Sequence, residues 1–178
     1  MQAYLEKAGL EEGDKSKPYL CTKKKWTIGK GINLEVQDMP EEVVHEWQLY
    51  SPGLDILGKS PFIRAIILTD TGLPYTARQM WAEIILNKLV GKIEDKLHDE
   101  WDMSFGDLPK DCRVVLVDCC YQMGLDGFFA FKKTLTHIKN MDYVDASLEL
   151  LDSKYARDDT PERAQRNSNL LMGCGCKL

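Results

Sequence analysis

A mainly α chain with one small β hairpin, arranged in two lobes (an α+β class), is what the sequence predicts, and three observations predict it. Trp81, Ile85, Leu89, Ile93 and Leu97 recur every four residues, the signature of one long amphipathic helix. Strand formers Trp26, Thr27 and Ile28, with Gly29 and Gly31, make residues 18–34 read as strands. From Pro109 onward the chain reads as helices separated by Gly and Pro punctuation. At 178 residues this suits one domain, or a domain with a small lobe, with enough chain to bury a real core.

In order, residues 1–11 read as a short helix with Tyr4, Leu5 and Ala8 on its apolar side, ended by Gly13. "PYLC", a turn in "TKKK" and "WTIGKGINL" then read as strands. Gly29 and Gly31 allow tight bending there. "PEEVVHEWQLY" reads as a helix, "SPGLDILGKSPF" as a loop, and "FIRAIILTDTGLPY" fits strand and helix equally. "TARQ" matches a capping box, Thr76 with Gln79, opening the long helix at about 76–100. Helices are expected near 109–123, stopping at Gly124, then at 127–140 and 142–154. A last one begins at "TPERAQR" with Thr160 as N-cap and Pro161 at its first position. The lobes divide accordingly: 1–75, a linking helix 76–100, and a helical lobe 101–178.

The composition is that of a soluble globular protein, 44% hydrophobic and 29% charged. A net charge of −5 argues against nonspecific nucleic-acid binding. Lys15, Lys17, Lys23, Lys24 and Lys25 form a local basic run, read first as a solvated face. "MQAYLEKAGLEEG" has neither a basic start nor a continuous apolar stretch, so a cleaved export signal is not expected. No window is apolar enough for membrane insertion. None of the six cysteines forms a Cys-x-x-Cys pair and no histidine has ligand spacing, so neither a metal nor a disulfide framework is implied. Cys112, Cys119 and Cys120 read as small core hydrophobes. Cys174 and Cys176 read as a frayed tail, and His45, His98 and His137 as helix-surface residues.

The chemistry centres on "EEGDKSKPYLCTKKKWTIGKG". Glu12 precedes Gly13 where a helix stops, and Cys21 and Thr27 fall on the two sides of the following hairpin, so all three can converge. Spacing alone makes this a weak signal. The string Glu12, Gly13, Tyr19, Thr27, Ile28, Gly29, Gly31 resembles the active-site hairpin of the phage-type, T4-like lysozymes (endolysins of glycoside hydrolase family 24). "CRVVLVDCCYQMGLDGFFAFKKTL" and "SKYARDDTPERAQR" resemble later segments of that family, in the same order.

The resemblance implies a lysozyme-like fold: a small N-terminal lobe with the hairpin, a long linking helix and a C-terminal helical lobe. It implies hydrolysis of the β-1,4 bond between N-acetylmuramic acid and N-acetylglucosamine in peptidoglycan, without a cofactor. Glu12 matches the general acid, whose pKa must rise from about 4.3 to work near neutrality. Thr27 matches the threonine that helps hold the attacking water. Cys21 stands where the family commonly has aspartate. Three roles stand open for it: a thiolate acting on water or carbon, a passive neighbour, or the mark of a dead site. The resemblance further places Tyr121 and Gln122 at a turn facing the substrate cleft, with Asn33, Thr134 and Glu149 as further binding positions. Arg163 and Arg166 either hold peptidoglycan carboxylates or Glu12, or make surface ion pairs. Ile32 replaces a frequent histidine.

The implied partner is the glycan strand. The implied setting is a monomer in a host cytoplasm, released to the wall by a separate lysis factor, with a virion-associated role as the second choice. Residues 35–75 exceed the expected connection by roughly 30 residues; roof, partner site and extra core are all open. The rivals are a noncatalytic peptidoglycan-binding or interaction module with the same fold and a lytic transglycosylase.

Overall fold

The computed structural model describes residues 13–21 and 24–175. The chain is mainly helical with a small antiparallel sheet, and divides into two compact units, the first running to Asn87 and the second starting at Lys88.

The first unit is founded on three strands in the order β1-β2-β3: β1 Lys15–Leu20, β2 Trp26–Gly29 and β3 Ile32–Asn33. Thr27 lies at the centre, paired with Tyr19 on one side and Asn33 on the other. Gly29 and Gly31 flank the tight β2–β3 turn with φ of 59° and 85°, a left-handed backbone that a Cβ disfavours.

Two helices come next, α1 Glu41–Gln48 and α2 Pro61–Thr71. They show what the long 35–75 segment does. Val43, Val44, Trp47, Ile56, Ala65, Leu68 and Leu73 join Ile28, Ile32 and Leu34 of the hairpin, and Ala77 and Trp81 beyond it, in one buried cluster. The segment thus contributes to the core, while Leu49, Tyr50, Phe62 and Ile66 on it are exposed. "FIRAIIL", ambiguous by pattern, is helical: Ser60 Oγ accepts from the Ile63 N–H at 3.4 Å, and Pro61 opens the first turn. The Trp47 indole N–H donates to Gly72 O (3.1 Å) and Thr71 Oγ1 (3.2 Å), tying α1 to the end of α2. The Leu73 N–H donates to Ser16 O at 2.7 Å, tying that end to β1. Arg64, almost fully buried, donates to Leu34 O and Asp38 Oδ1, both at 3.0 Å. Those bonds compensate a guanidinium that would otherwise be costly to enclose.

Helix α3, Tyr75–Trp101, crosses the boundary between the units. Its expected capping box does not form. The Thr76 hydroxyl donates instead to Glu46 at 2.5 Å, and the helix starts a residue earlier, with the Arg78 N–H bonded to Pro74 O. A carboxylate brought by tertiary folding outcompetes the local cap.

The second unit continues with α4 Lys110–Met123, α5 Leu125–Phe129, α6 Lys132–Lys139, α7 Tyr143–Leu151, a π-helical turn Tyr155–Asp159, and α8 Pro161–Gly175. Gly124, at φ 79°, ends α4. The helix expected over 127–140 is two helices, because Phe131 leaves helical geometry (ψ 62°). The break accompanies an aromatic cluster: Phe128 and Phe129 are buried, and Phe131 stacks on Phe128 with ring centres 5.9 Å apart. The expected frayed end is also corrected. Cys174 lies within α8, buried, its Sγ 3.3 Å from Leu170 O; Cys176 lies outside the described residues. Cys112, Cys119 and Cys120 are buried alongside Val114–Val117, as small hydrophobes would be.

Candidate active site

Glu12, the expected proton donor, and the helix expected over 1–11 lie outside the described residues. The chain immediately after Gly13 is firmly held. Asp14 receives two bonds from Arg78, Nε to Oδ1 at 2.6 Å and Nη2 to Oδ2 at 3.0 Å, while Arg78 Nη1 donates to Leu73 O. This bidentate fork fixes the entry to β1 against the first turns of α3.

At the far end of β1 the chain turns through Lys24, itself left-handed at φ 56°, with its N–H bonded to Cys21 O at 2.8 Å. The Lys25 carbonyl then collects two donors, the Cys21 N–H and the Thr27 hydroxyl, each at 3.0 Å. The Thr27 hydroxyl and the main chain of Cys21 thereby meet on one backbone oxygen. Thr27 is 3% exposed and Cys21 is half-buried. Because the Thr27 proton is directed to Lys25 O, only its oxygen lone pairs could meet a water, as acceptors.

The Lys25 ammonium points elsewhere, to Glu35 at 2.6 Å. Glu35 also accepts the Trp26 N–H at 3.3 Å. The hydrogen bond from Lys25 holds the Glu35 carboxyl below the usual carboxylate range, and the same bond, with the Glu35 charge, raises Lys25. Asn33, an expected substrate contact, uses its side-chain oxygen to accept the Glu35 N–H at 2.9 Å. Lys15 sits 4.1 Å over the Tyr19 ring. The lysine run is therefore partly engaged by its own hairpin.

In the second unit, the expected binding residues separate. Thr134 is 2% exposed within α6, on the side that also buries Leu135 and Ile138. Glu149, on α7, lies 3.5 Å from Lys133. Tyr121 and Gln122 are half-buried at the end of α4. Gln122 belongs to a polar cluster with Arg163. Its amide is 3.2 Å from Thr160 Oγ1, and with its oxygen turned toward α8 it accepts from the Arg163 guanidinium.

At the centre of that cluster is a residue that sequence reasoning missed. Asp118, 1% exposed, accepts from Asn167 Nδ2 at 2.7 Å and lies 3.4 Å from Arg163 Nε. Burial raises its carboxyl above the usual range, opposed by the Asn167 hydrogen bond and the charges of Arg163 and Arg166. The signal was available: a lone aspartate in the apolar run "VVLVDCC", one helical turn before Gln122. Among the described residues, no three His, Cys, Asp or Glu side chains converge as a metal site would require.

The chain matches no protein-family model and no curated protein. Its chemistry therefore has to come from these residues. The hairpin offers a hydroxyl oxygen and a thiol on one turn. The helical unit offers a guanidinium beside a buried carboxylate, and an amide bonded to Thr160.

Proposed function

We propose that this protein is a muramidase with a lysozyme-like fold, cleaving the β-1,4 bond between N-acetylmuramic acid and N-acetylglucosamine. One observation supports the reading: the hairpin whose residue spacing resembles that of the phage-type lysozymes folds with the Cys21 backbone N–H and the Thr27 hydroxyl donating to the same Lys25 carbonyl. Glycoside hydrolysis needs a proton for the departing oxygen and a nucleophile at the anomeric carbon. Glu12 supplies the proton. Thr27, through its acceptor lone pairs, holds the attacking water, and Cys21 is the neighbour that tunes or replaces it. Attack by water gives inversion, and attack by sulfur followed by water gives net retention. Arg163 and Gln122 bind substrate carboxylate and N-acetyl groups. The substrate is the peptidoglycan strand, and the setting is host lysis, with enzyme released from the cytoplasm by a separate factor.

The depth of Thr27, 3% exposed, favours a second reading, a noncatalytic glycan-binding module of the same fold. Turbidity loss of wall suspensions separates the two. Wild type clears them, Glu12→Gln does not, and Cys21→Asp clears at the same rate or faster. A Glu12→Gln protein with full clearing activity ends the assignment of the acid, and an inert wild type leaves the module.

A further inference from the structure

A ring of bonds closes around the start of β1, and the reaction above gives it no task. Arg78, early in α3, forks the Asp14 carboxylate, Nε to Oδ1 at 2.6 Å and Nη2 to Oδ2 at 3.0 Å. Its remaining nitrogen, Nη1, donates to the Leu73 carbonyl. The Leu73 N–H in turn donates to Ser16 O at 2.7 Å, and β1 leads from Ser16 back to Asp14. All three guanidinium nitrogens are bonded, so three acceptors set the orientation of the group.

The ring is largely enclosed, with the Arg78 and Asp14 side chains 10% and 20% exposed. The Arg78 stem lies over the β2–β3 turn, where a Cβ on Gly29 would stand 3.5 Å from it, and the guanidinium lies 5.8 Å from the centre of the Tyr75 ring. A well-packed apolar pair is often as stable as an enclosed ion pair, but a bidentate fork fixes direction as well as distance. The residue that precedes Asp14 is the opposite case. Gly13 has a permissive backbone, and among the described residues nothing lies within 4 Å of where its Cβ would be. Glu12 joins the ring through that one glycine. Covalent geometry keeps the Cα atoms of Glu12 and Asp14 no more than about 7 Å apart. The hold on Asp14 therefore bears directly on where the acid's backbone can stand, and a misplacement of about 1 Å can cost about a hundredfold in rate.

We propose that Arg78 is a positioning residue of the muramidase: by forking Asp14 and binding the Leu73 carbonyl, it fixes the stretch of backbone that joins Glu12 to the hairpin, and so places the acid for proton transfer to the glycosidic oxygen. The 35–75 segment thereby gains a part in the reaction, because it holds Leu73 in its buried cluster. This rests on the muramidase reading.

The test is steady-state kinetics on soluble peptidoglycan fragments across pH, at a temperature where circular dichroism shows each protein folded. Compared are wild type, Glu12→Gln, Arg78→Ala, Arg78→Lys, Asp14→Asn and the double variant Arg78→Ala with Asp14→Asn. Arg78→Ala lowers kcat about thirtyfold with KM within about threefold, the pattern of lost chemistry rather than lost binding. Arg78→Lys, which keeps the charge and loses the fork, lowers kcat about tenfold. Asp14→Asn, which keeps one oxygen for Nε, lowers it about fivefold. The double variant is no worse than Arg78→Ala, because the two side chains act as one unit. The alkaline limb of the kcat profile, where the acid loses its proton, moves acidward by about one pH unit in Arg78→Ala, since a displaced carboxyl relaxes toward about 4.3. A variant that only loosens the fold leaves that limb in place. Should Arg78→Ala fail to fold, Arg78→Lys and Asp14→Asn carry the same readouts. An unchanged kcat, a loss that leaves the limb unmoved, or single losses that multiply in the double variant overturns the positioning role while Glu12-dependent activity stands. An inert wild type, or an active Glu12→Gln, overturns the muramidase reading and this role together.

Discussion

Truncating Trp47 to alanine asks whether the 35–75 segment is structural core, as its packing indicates, or an appendage on a complete lobe. The indole is fully buried in the cluster that joins α1, α2 and the hairpin. Removing a buried tryptophan costs about 3–5 kcal/mol in transfer and cavity terms. The Gly72 carbonyl also loses its donor from Nε1 at 3.1 Å, though the Thr71 hydroxyl still donates to it, so this bond adds about 0.5–1.5 kcal/mol. The two terms share one site and do not simply add, so a loss of about 3–6 kcal/mol is expected. That is a large share of a whole domain's stability, about 5–15 kcal/mol. Trp47→Phe keeps most of the apolar volume and loses the donor, so about 1–3 kcal/mol is expected. Phe62→Ser, at a site 60% exposed on the same segment, should stay within about 0.5 kcal/mol of wild type. Urea unfolding followed by far-UV circular dichroism, with midpoints compared at constant m, measures all three. A Trp47→Ala protein less than about 1 kcal/mol below wild type refutes the assignment of this segment to the core.

Gly29→Ala should cost about 1–2 kcal/mol, because φ there is 59° and the left-handed backbone disfavours a Cβ, although the nearest neighbour, the Arg78 side chain at 3.5 Å, leaves room for one; thermal unfolding measures it. Asp118 predicts a pH signature. Its native pKa is raised, so between the ordinary and native values the folded protein holds a proton that the unfolded chain has lost, and its contribution to stability falls as pH rises. Asp118→Asn removes that dependence, so the variant should gain stability relative to wild type as pH is raised from about 3 toward neutrality. A difference that shrinks instead shows the sign to be wrong. Thiol labelling in a Cys176→Ser background should show one accessible site, half-buried Cys21, lost on Cys21→Ala. Cys112, Cys119, Cys120 and Cys174 are buried, and burial pushes the Cys120 thiol up to about 12, so they should label only at the rate of opening.

The features legible in the chain alone are those that short-range physics encodes. The four-residue recurrence from Trp81 to Leu97 specified α3 as one continuous helix, because an apolar stripe repeated over successive helical turns has no strand counterpart. Thr27 and the φ-permissive Gly29 and Gly31 specified the hairpin, and Gly124 the end of α4. Tertiary structure decided everything that depends on partners distant in the chain. "FIRAIIL" has no period of its own, and its role as core comes from Trp47 and the hairpin closing over it. Thr76 abandoned its cap for Glu46, a carboxylate far back along the chain. The aspartate in "VVLVDCC" acquires meaning only where α8 brings Arg163 and Asn167 against α4, since a buried carboxylate is defined by the charges that fold around it and not by its neighbours along the chain.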